Sequence, residues 1–232
     1  MVVNIAIDGT SGSGKSTVAG RLADALHYYH LNTGQLYRAY ALKCLNMGVV
    51  QPQKEDVLNL ISNTKIDVKF VGGKQLTYLD GVDVTNQLND AEIGRVASII
   101  SPFKELRACV IEIQRSMAKL HNIIIEGRDI GTVIIPNAKY KFFVTASVQA
   151  RAQRRYKQLT DAGKNVDYNQ ILKGLKERDE KDTKREVSPL IKAEDAIMVD
   201  TSNLNIEEVV NLMLSKIDKS DFRNCLDDEH QK

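Results

Sequence analysis

Short apolar runs alternate with stretches of helical periodicity along most of the chain. Residues 2–7 read as a buried strand, and residues 17–26, after a glycine-rich turn, as a helix. Similar β-rich runs recur at 28–31, 122–125, 140–145 and 196–199. Such runs with helices between them predict strands covered on both faces, an α/β fold with a five-stranded parallel sheet. The last helix has its stripe at Ile206, Val209, Val210, Met213 and Ile217, with Asn205 as cap and Glu208 three residues on. Two segments break the alternation. Residues 66–85 read as three short strands turned at Gly72-Gly73 and Asp80-Gly81, a small antiparallel insertion. Residues 147–187 read as a helix over 148–159, a polar connection at 161–165 and a second helix ending near Arg185. The end, 220–232, is polar and is expected to fray.

Composition narrows the class. A chain of 232 residues with 43% hydrophobic and 27% charged positions can bury a core without disulfides and is not disordered. A formal charge of +2 is too small for a protein built to wrap nucleic acid. The charge is uneven, however: residues 151–185 carry 11 Lys/Arg against 6 Asp/Glu, so this stretch is +5 and the rest −3. It is suited to an anion. Three scattered cysteines, Cys44, Cys109 and Cys225, fit a reducing compartment. Neither a secretory signal nor an apolar run of membrane length is found, so a soluble, cytoplasmic protein is expected.

The strongest local signal follows the first strand. Gly9-Thr10-Ser11-Gly12-Ser13-Gly14-Lys15-Ser16 fits G-x-x-x-x-G-K-[ST] at every fixed position, with Thr17 next in the opening helix. Glycines let the backbone turn so that successive N–H groups ring a phosphate, and the helix adds its positive dipole end. Lys15 sets a cation against the outer phosphates, and the Ser16 hydroxyl can ligate Mg²⁺. By average residue usage the pattern arises by chance in roughly one chain per hundred of this length, and its strand–turn–helix setting lowers that further. The loop binds a nucleoside triphosphate. Neither N-K-x-D nor D-x-x-G occurs, which counts against a GTPase switch.

A transferase needs a second anion site. Residues 32–38 (NTGQLYR) offer a hydroxyl and Arg38 at a strand end, although a capped helix with a surface arginine reads the same way. Residues 126–132 (EGRDIGT) follow an apolar run, where charged side chains enter the crevice at a parallel sheet's carboxyl edge. Arg178, Asp182 and Arg185 share one helical face, as do Arg151, Arg154 and Arg155; a solvated face explains either set equally well.

Together, the P-loop, TGQLYR at 33–38, GRDIGT at 127–132 and KERDEKDTKREVSPL at 176–190 resemble the bacterial cytidylate kinase family, from residue 3 to about 216. The resemblance implies a single domain over 1–219, with an acceptor-binding insertion at about 60–100 and a lid at about 150–185. It implies transfer of the ATP γ-phosphate to CMP or dCMP with Mg²⁺, by a monomer without nucleic-acid or membrane partners. Thr33, Arg38, Arg128 and Arg185 would hold the acceptor phosphate. Ser98, Arg107 and Asp129 would read the cytosine edge, and Arg178 and Asp182 would reach the sugar. Arg154 would join the P-loop residues on ATP, with Lys15, Arg128, Asp129 and Arg185 at the reacting phosphate. Without the family, Ser98 reads as a plain helix residue and Arg107 as a solvated cation. Ser16 stands where many members carry glycine, which preserves or improves magnesium ligation. The alternatives are a kinase for another acceptor (UMP, another nucleotide, a nucleoside or a shikimate-like molecule) or a nucleotide-binding regulatory protein.

Overall fold

The fold was determined as a computed structural model that describes residues 2–222. β1 (Asn4–Gly9) leads to α1 (Lys15–Leu26), and β2 (Tyr29–Asn32) to α2 (Thr33–Asn46). After α3 (Lys54–Ser62) come β3 (Ile66–Val71), β4 (Lys74–Leu79) and β5 (Val82–Asp83). A short turn at Thr85–Asn89 precedes α4 (Ala91–Ile100) and α5 (Lys104–Leu120). Next are β6 (Ile123–Gly127), one wide helical turn at Ile130–Ile134, and β7 (Tyr140–Thr145). α6 (Val148–Asp161), α7 (Tyr168–Lys184), β8 (Ile197–Asp200) and α8 (Ile206–Leu214) complete the order.

The central apolar runs become strands because both their faces are buried, whereas in the edge strand β8 only Val199 is buried and Ile197 and Met198 are exposed. In β1, Ile5 and Ile7 pack beneath α1 and α8 with Leu22, Phe142 and Met213. Ala6 faces the other way, toward Leu31, Ile123, Ile125 and Ile134. The sheet has the order β2-β6-β1-β7-β8, and every pairing is parallel. This is the expected five-stranded fold. Its register aligns the carboxyl ends: Asp8 of β1 lies opposite Gly127 of β6, and Glu126 opposite Asn32 of β2. The expected meander is also present, as the antiparallel sheet β3-β4-β5 with Gly72, Gly73, Asp80 and Gly81 all at positive φ. It packs with α2, α3, α4 and α5 around a separate core of Leu36, Tyr40, Leu60, Ile66, Leu79, Ile100 and Leu106.

Four expectations change. β1 starts at Asn4 and runs on through Asp8, whose carboxylate is buried because two backbone N–H groups satisfy it. Ile206 is 49% exposed and leaves the stripe of α8: it is the first helical residue and borders the cleft at the sheet's carboxyl edge. Its neighbours follow the pattern, with Val209, Val210, Met213 and Ile217 buried and a reciprocal Asn205–Glu208 cap. Arg107, read without the family as a solvated cation, is 3% exposed, since its guanidinium meets Asp129 inside the fold. Finally, of the polar end expected to fray from Ser220, the described part is pinned. Asp221 accepts from Lys139 at 2.7 Å and from the Tyr140 hydroxyl, and its carbonyl accepts from Tyr28 at 2.6 Å. Residues 223–232 lie outside the described residues. Among the described residues no helix is long and apolar enough to cross a membrane.

Candidate active site

Backbone sterics shape the phosphate loop first. A Cβ on Gly9 would stand 1.8 Å from the Val144 carbonyl oxygen, so β1 can enter the loop beside β7 only through glycine. The loop is then held by its carbonyls. Lys15 Nζ donates to Thr10 O at 2.6 Å, Thr201 Oγ1 to Ser13 O at 3.0 Å, and Arg151 Nη1 to Ser11 O at 3.0 Å. Lys15 is buried, and burial holds its ammonium well below the ordinary lysine range, with Arg128 pushing the same way. Ser16 and Thr17 are exposed on the first turn of α1.

The second anion site is assembled from four distant segments. Thr33, at the start of α2, donates its hydroxyl to Glu126 O at 2.8 Å, across β2 and β6. A Cβ on Gly127 would come within 2.9 Å of that hydroxyl, so glycine keeps the crossing open. Arg38 Nη1 donates to Leu88 O at 2.6 Å. Arg128 Nε donates to Asp182 Oδ2 of α7 at 2.7 Å. Asp129 receives Arg107 on one oxygen and Arg185 on the other, the latter at 3.3 Å. Burial lowers the guanidinium pKa of Arg38, Arg178 and Arg185. Cations held in a dry place among like charges are relieved by an incoming polyanion.

Both halves open into one cleft of about 920 Å³ at the sheet's carboxyl edge. It is lined by Ser11 to Thr17, Thr33, Arg38, Ser98, Arg107, Arg128, Asp129, Arg154, Arg178, Asp182 and Arg185. Of the expected site residues only Gly9 and Thr10 do not line it; they form the back of the loop. Arg154 sits at the donor end, donating to Thr201 Oγ1 at 3.0 Å. Ser98 is exposed on α4.

Sequence reasoning missed several participants. Asp8 accepts from Ile130 N and Gly131 N, both at 2.8 Å, fastening the wide turn after Asp129 to the strand that feeds the loop. Burial pushes its carboxyl up to about 6. Its one visible signal is a carboxylate in an apolar strand. Glu126 lies beneath the loop, its Oε1 3.3 Å from His30 Nε2. Burial alone would raise this carboxyl, but His30, Lys15 and the Ser16 hydroxyl together hold it below the usual range. Tyr37 lines the acceptor end under the Arg107 guanidinium, 5.9 Å from its ring centre. Tyr37 lies inside the 33–38 segment but takes no role from sequence, and no motif marks Thr201.

The cytidylate kinase family model matches residues 5–219. A cytidylate kinase of Caldicellulosiruptor saccharolyticus is 45% identical over 91% of this chain and 94% of its own length. Those of Lactobacillus johnsonii and Clostridioides difficile are 41% and 38% identical, over 94% and 92% of this chain and 95% and 97% of theirs. Among solved structures, an uncharacterized protein from Eubacterium ventriosum gives a TM-score of 0.52 at 13% identity. It covers 94% of this chain and 99% of that one, a likeness of fold alone. With the P-loop and the arginine-rich second site joined in one cleft, and with relatives matching along nearly the whole length, the chain belongs to the cytidylate kinase family.

Proposed function

We propose that the protein transfers the terminal phosphoryl group of ATP to CMP or dCMP, giving ADP and CDP or dCDP. One observation carries the reading: the P-loop lysine and the arginines of the second site line a single cleft at the sheet's carboxyl edge. Two phosphate-bearing substrates would meet there.

The roles we assign are those the family resemblance implies, for residues that all line the cleft. The loop N–H groups, Thr17 and Arg154 hold ATP. Thr33, Arg38, Arg128 and Arg185 grip the acceptor phosphate, and Arg178 and Asp182 reach its sugar. Asp129 and Ser98 accept from the cytosine amino group, while Arg107, a donor only, faces the ring nitrogen and the 2-carbonyl. Asp129 has lone pairs left for this although Arg107 and Arg185 already donate to it. The acceptor phosphate has a second pKa near 6, so it is mostly dianionic at neutral pH and needs no protein base. Catalysis is then alignment and charge stabilisation by Lys15, Arg128 and Arg185.

The residues suit Mg²⁺. The Ser16 hydroxyl and the buried Glu126 Oε1, which makes no aligned hydrogen bond, are hard oxygen donors beside the loop. Ser16 would hold the ion, and when bound it supplies positive charge to the outer phosphates. We take α6 and α7 as a lid over 150–185, since α7 has no buried residue and is held mainly through the polar pairs Arg151–Asp179 and Arg128–Asp182. We take 60–100 as the acceptor-binding insertion. We take the working unit to be a cytoplasmic monomer, with Cys44 and Cys109 as the free thiols that a reducing compartment maintains.

The test is ADP release with CMP, dCMP and UMP as acceptors. Uracil would set a carbonyl against Asp129 and an N–H against Arg107, mismatches that commonly cost a few kcal/mol each. kcat/KM for CMP and dCMP should therefore exceed that for UMP by on the order of 10²-fold. Asp129→Ala should narrow the gap by lowering CMP turnover most. Equal use of UMP by the unaltered protein would overturn the base-reading assignment.

A further inference from the structure

Arg151 belongs to a basic helical face that sequence alone reads equally well as solvated, yet only 4% of it is exposed. It lies in the first turn of α6 and does not line the cleft. Its fork is nearly saturated. Nε donates to Ala146 O at 2.9 Å and Nη1 to Ser11 O at 3.0 Å. Nη1 and Nη2 also donate to the two carboxylate oxygens of Asp179, at 3.1 and 2.6 Å. Gly12 rests against its stem, where an added Cβ would lie 3.6 Å from Arg151 Cβ.

The contact with Ser11 matters because a peptide group is planar and trans. Holding the Ser11 carbonyl toward Arg151 turns the Gly12 N–H the opposite way. Ser11 and Gly12 both line the cleft, so the arginine sets the facing of a peptide that the donor phosphates meet. Asp179 extends the contact. It is on the same turn of α7 as Arg178, which lines the cleft, and Asp182, which bonds Arg128. One guanidinium thus joins the phosphate loop to the helix that serves the acceptor side. The planar fork makes four contacts here, to two carbonyls and both oxygens of a carboxylate, one more than the three donors of an ammonium allow.

We propose that Arg151 is a positioning residue of the phosphate loop: it fixes the Ser11–Gly12 peptide for ATP and, through Asp179, ties that loop to α7. The proposal rests on the kinase reading, but its main test needs no acceptor. Equilibrium binding of a fluorescent ATP analogue would be measured for the unaltered protein and for Arg151→Lys, alongside thermal melting and the KM for CMP. Arg151→Lys should weaken analogue binding by about 10-fold or more, with a clearly smaller rise, about three-fold or less, in the CMP KM through α7 and a cooperative melting transition retained. Unchanged analogue binding in the folded variant, or equal losses for both nucleotides, would overturn the proposal. Should Arg151→Lys not fold, Asp179→Asn decides the matter. It keeps one acceptor for Arg151 and should weaken analogue binding by roughly three-fold; no change there also overturns it. If the unaltered protein binds the analogue but ignores CMP, the substrate reading fails and the loop proposal is still judged on binding.

Discussion

A carboxylate at the end of a buried strand is costly unless its oxygens are met, and Asp8 meets two backbone N–H groups at 2.8 Å. Even so, burial raises its pKa from 3.8 to about 6. The folded protein therefore binds a proton that the unfolded chain releases between these values. Stability from this group is complete below about pH 4 and is lost as pH rises through about 6. A two-unit shift corresponds to about 3 kcal/mol. Urea unfolding of the unaltered protein and of Asp8→Asn should show their difference moving against the unaltered protein by roughly that amount between pH 4 and 7. A constant difference would refute it. At this scale the sequence was half legible. Residues in the P-loop, GRD and ERD segments could be placed because each segment carries its chemistry in a few adjacent positions. Asp8 and Arg151 could not, because their partners lie at residues 130–131 and at Ser11 and Asp179. Nothing local records such distances.

Helix ends were the most readable feature among the elements, since a cap and its helix share one short stretch of chain. The Asn205–Glu208 reciprocal cap of α8 is such a case. α4 has the same economy: Asp90 accepts from Glu92 N at 2.7 Å and from Ile93 N at 3.3 Å. This helix carries Ser98 on the acceptor side of the cleft. Asp90→Ala should lower stability by about 1 kcal/mol, read as a shift in urea midpoint, and should raise the KM for CMP while leaving that for ATP in place. A matching rise for ATP would show that α4 is not confined to the acceptor side. The packing of α2, α3, α4 and α5 around the small sheet was not legible. Their apolar positions are ordinary helical stripes, and only the folded chain shows that they close on β3 and β4, while α5 also reaches the parallel sheet through Ala118.

For the whole molecule, alternating strands and helices made the fold class readable, whereas strand order depends on which neighbour each strand finds after the chain has crossed the sheet. Here the order places β6 between β1 and β2. This has a consequence for the protein while it is being made. The first two strands of the sheet leave the ribosome early but cannot join each other, because the strand that belongs between them ends at Gly127, past the middle of the chain. At roughly 5–20 residues per second, the P-loop segment must wait several seconds before its sheet exists. Ribosome-arrested chains should therefore leave β1 and α1 open to protease when they stop before residue 123, and shield them once 123–145 have cleared the exit tunnel. Shielding in the shorter chains would mean that these elements find shelter elsewhere. For this strand order the central strand, β1, is made first and then waits beside the free edge strand β2 until both its own neighbours, β6 and β7, have followed, and the nascent chain has to stay soluble in the interval.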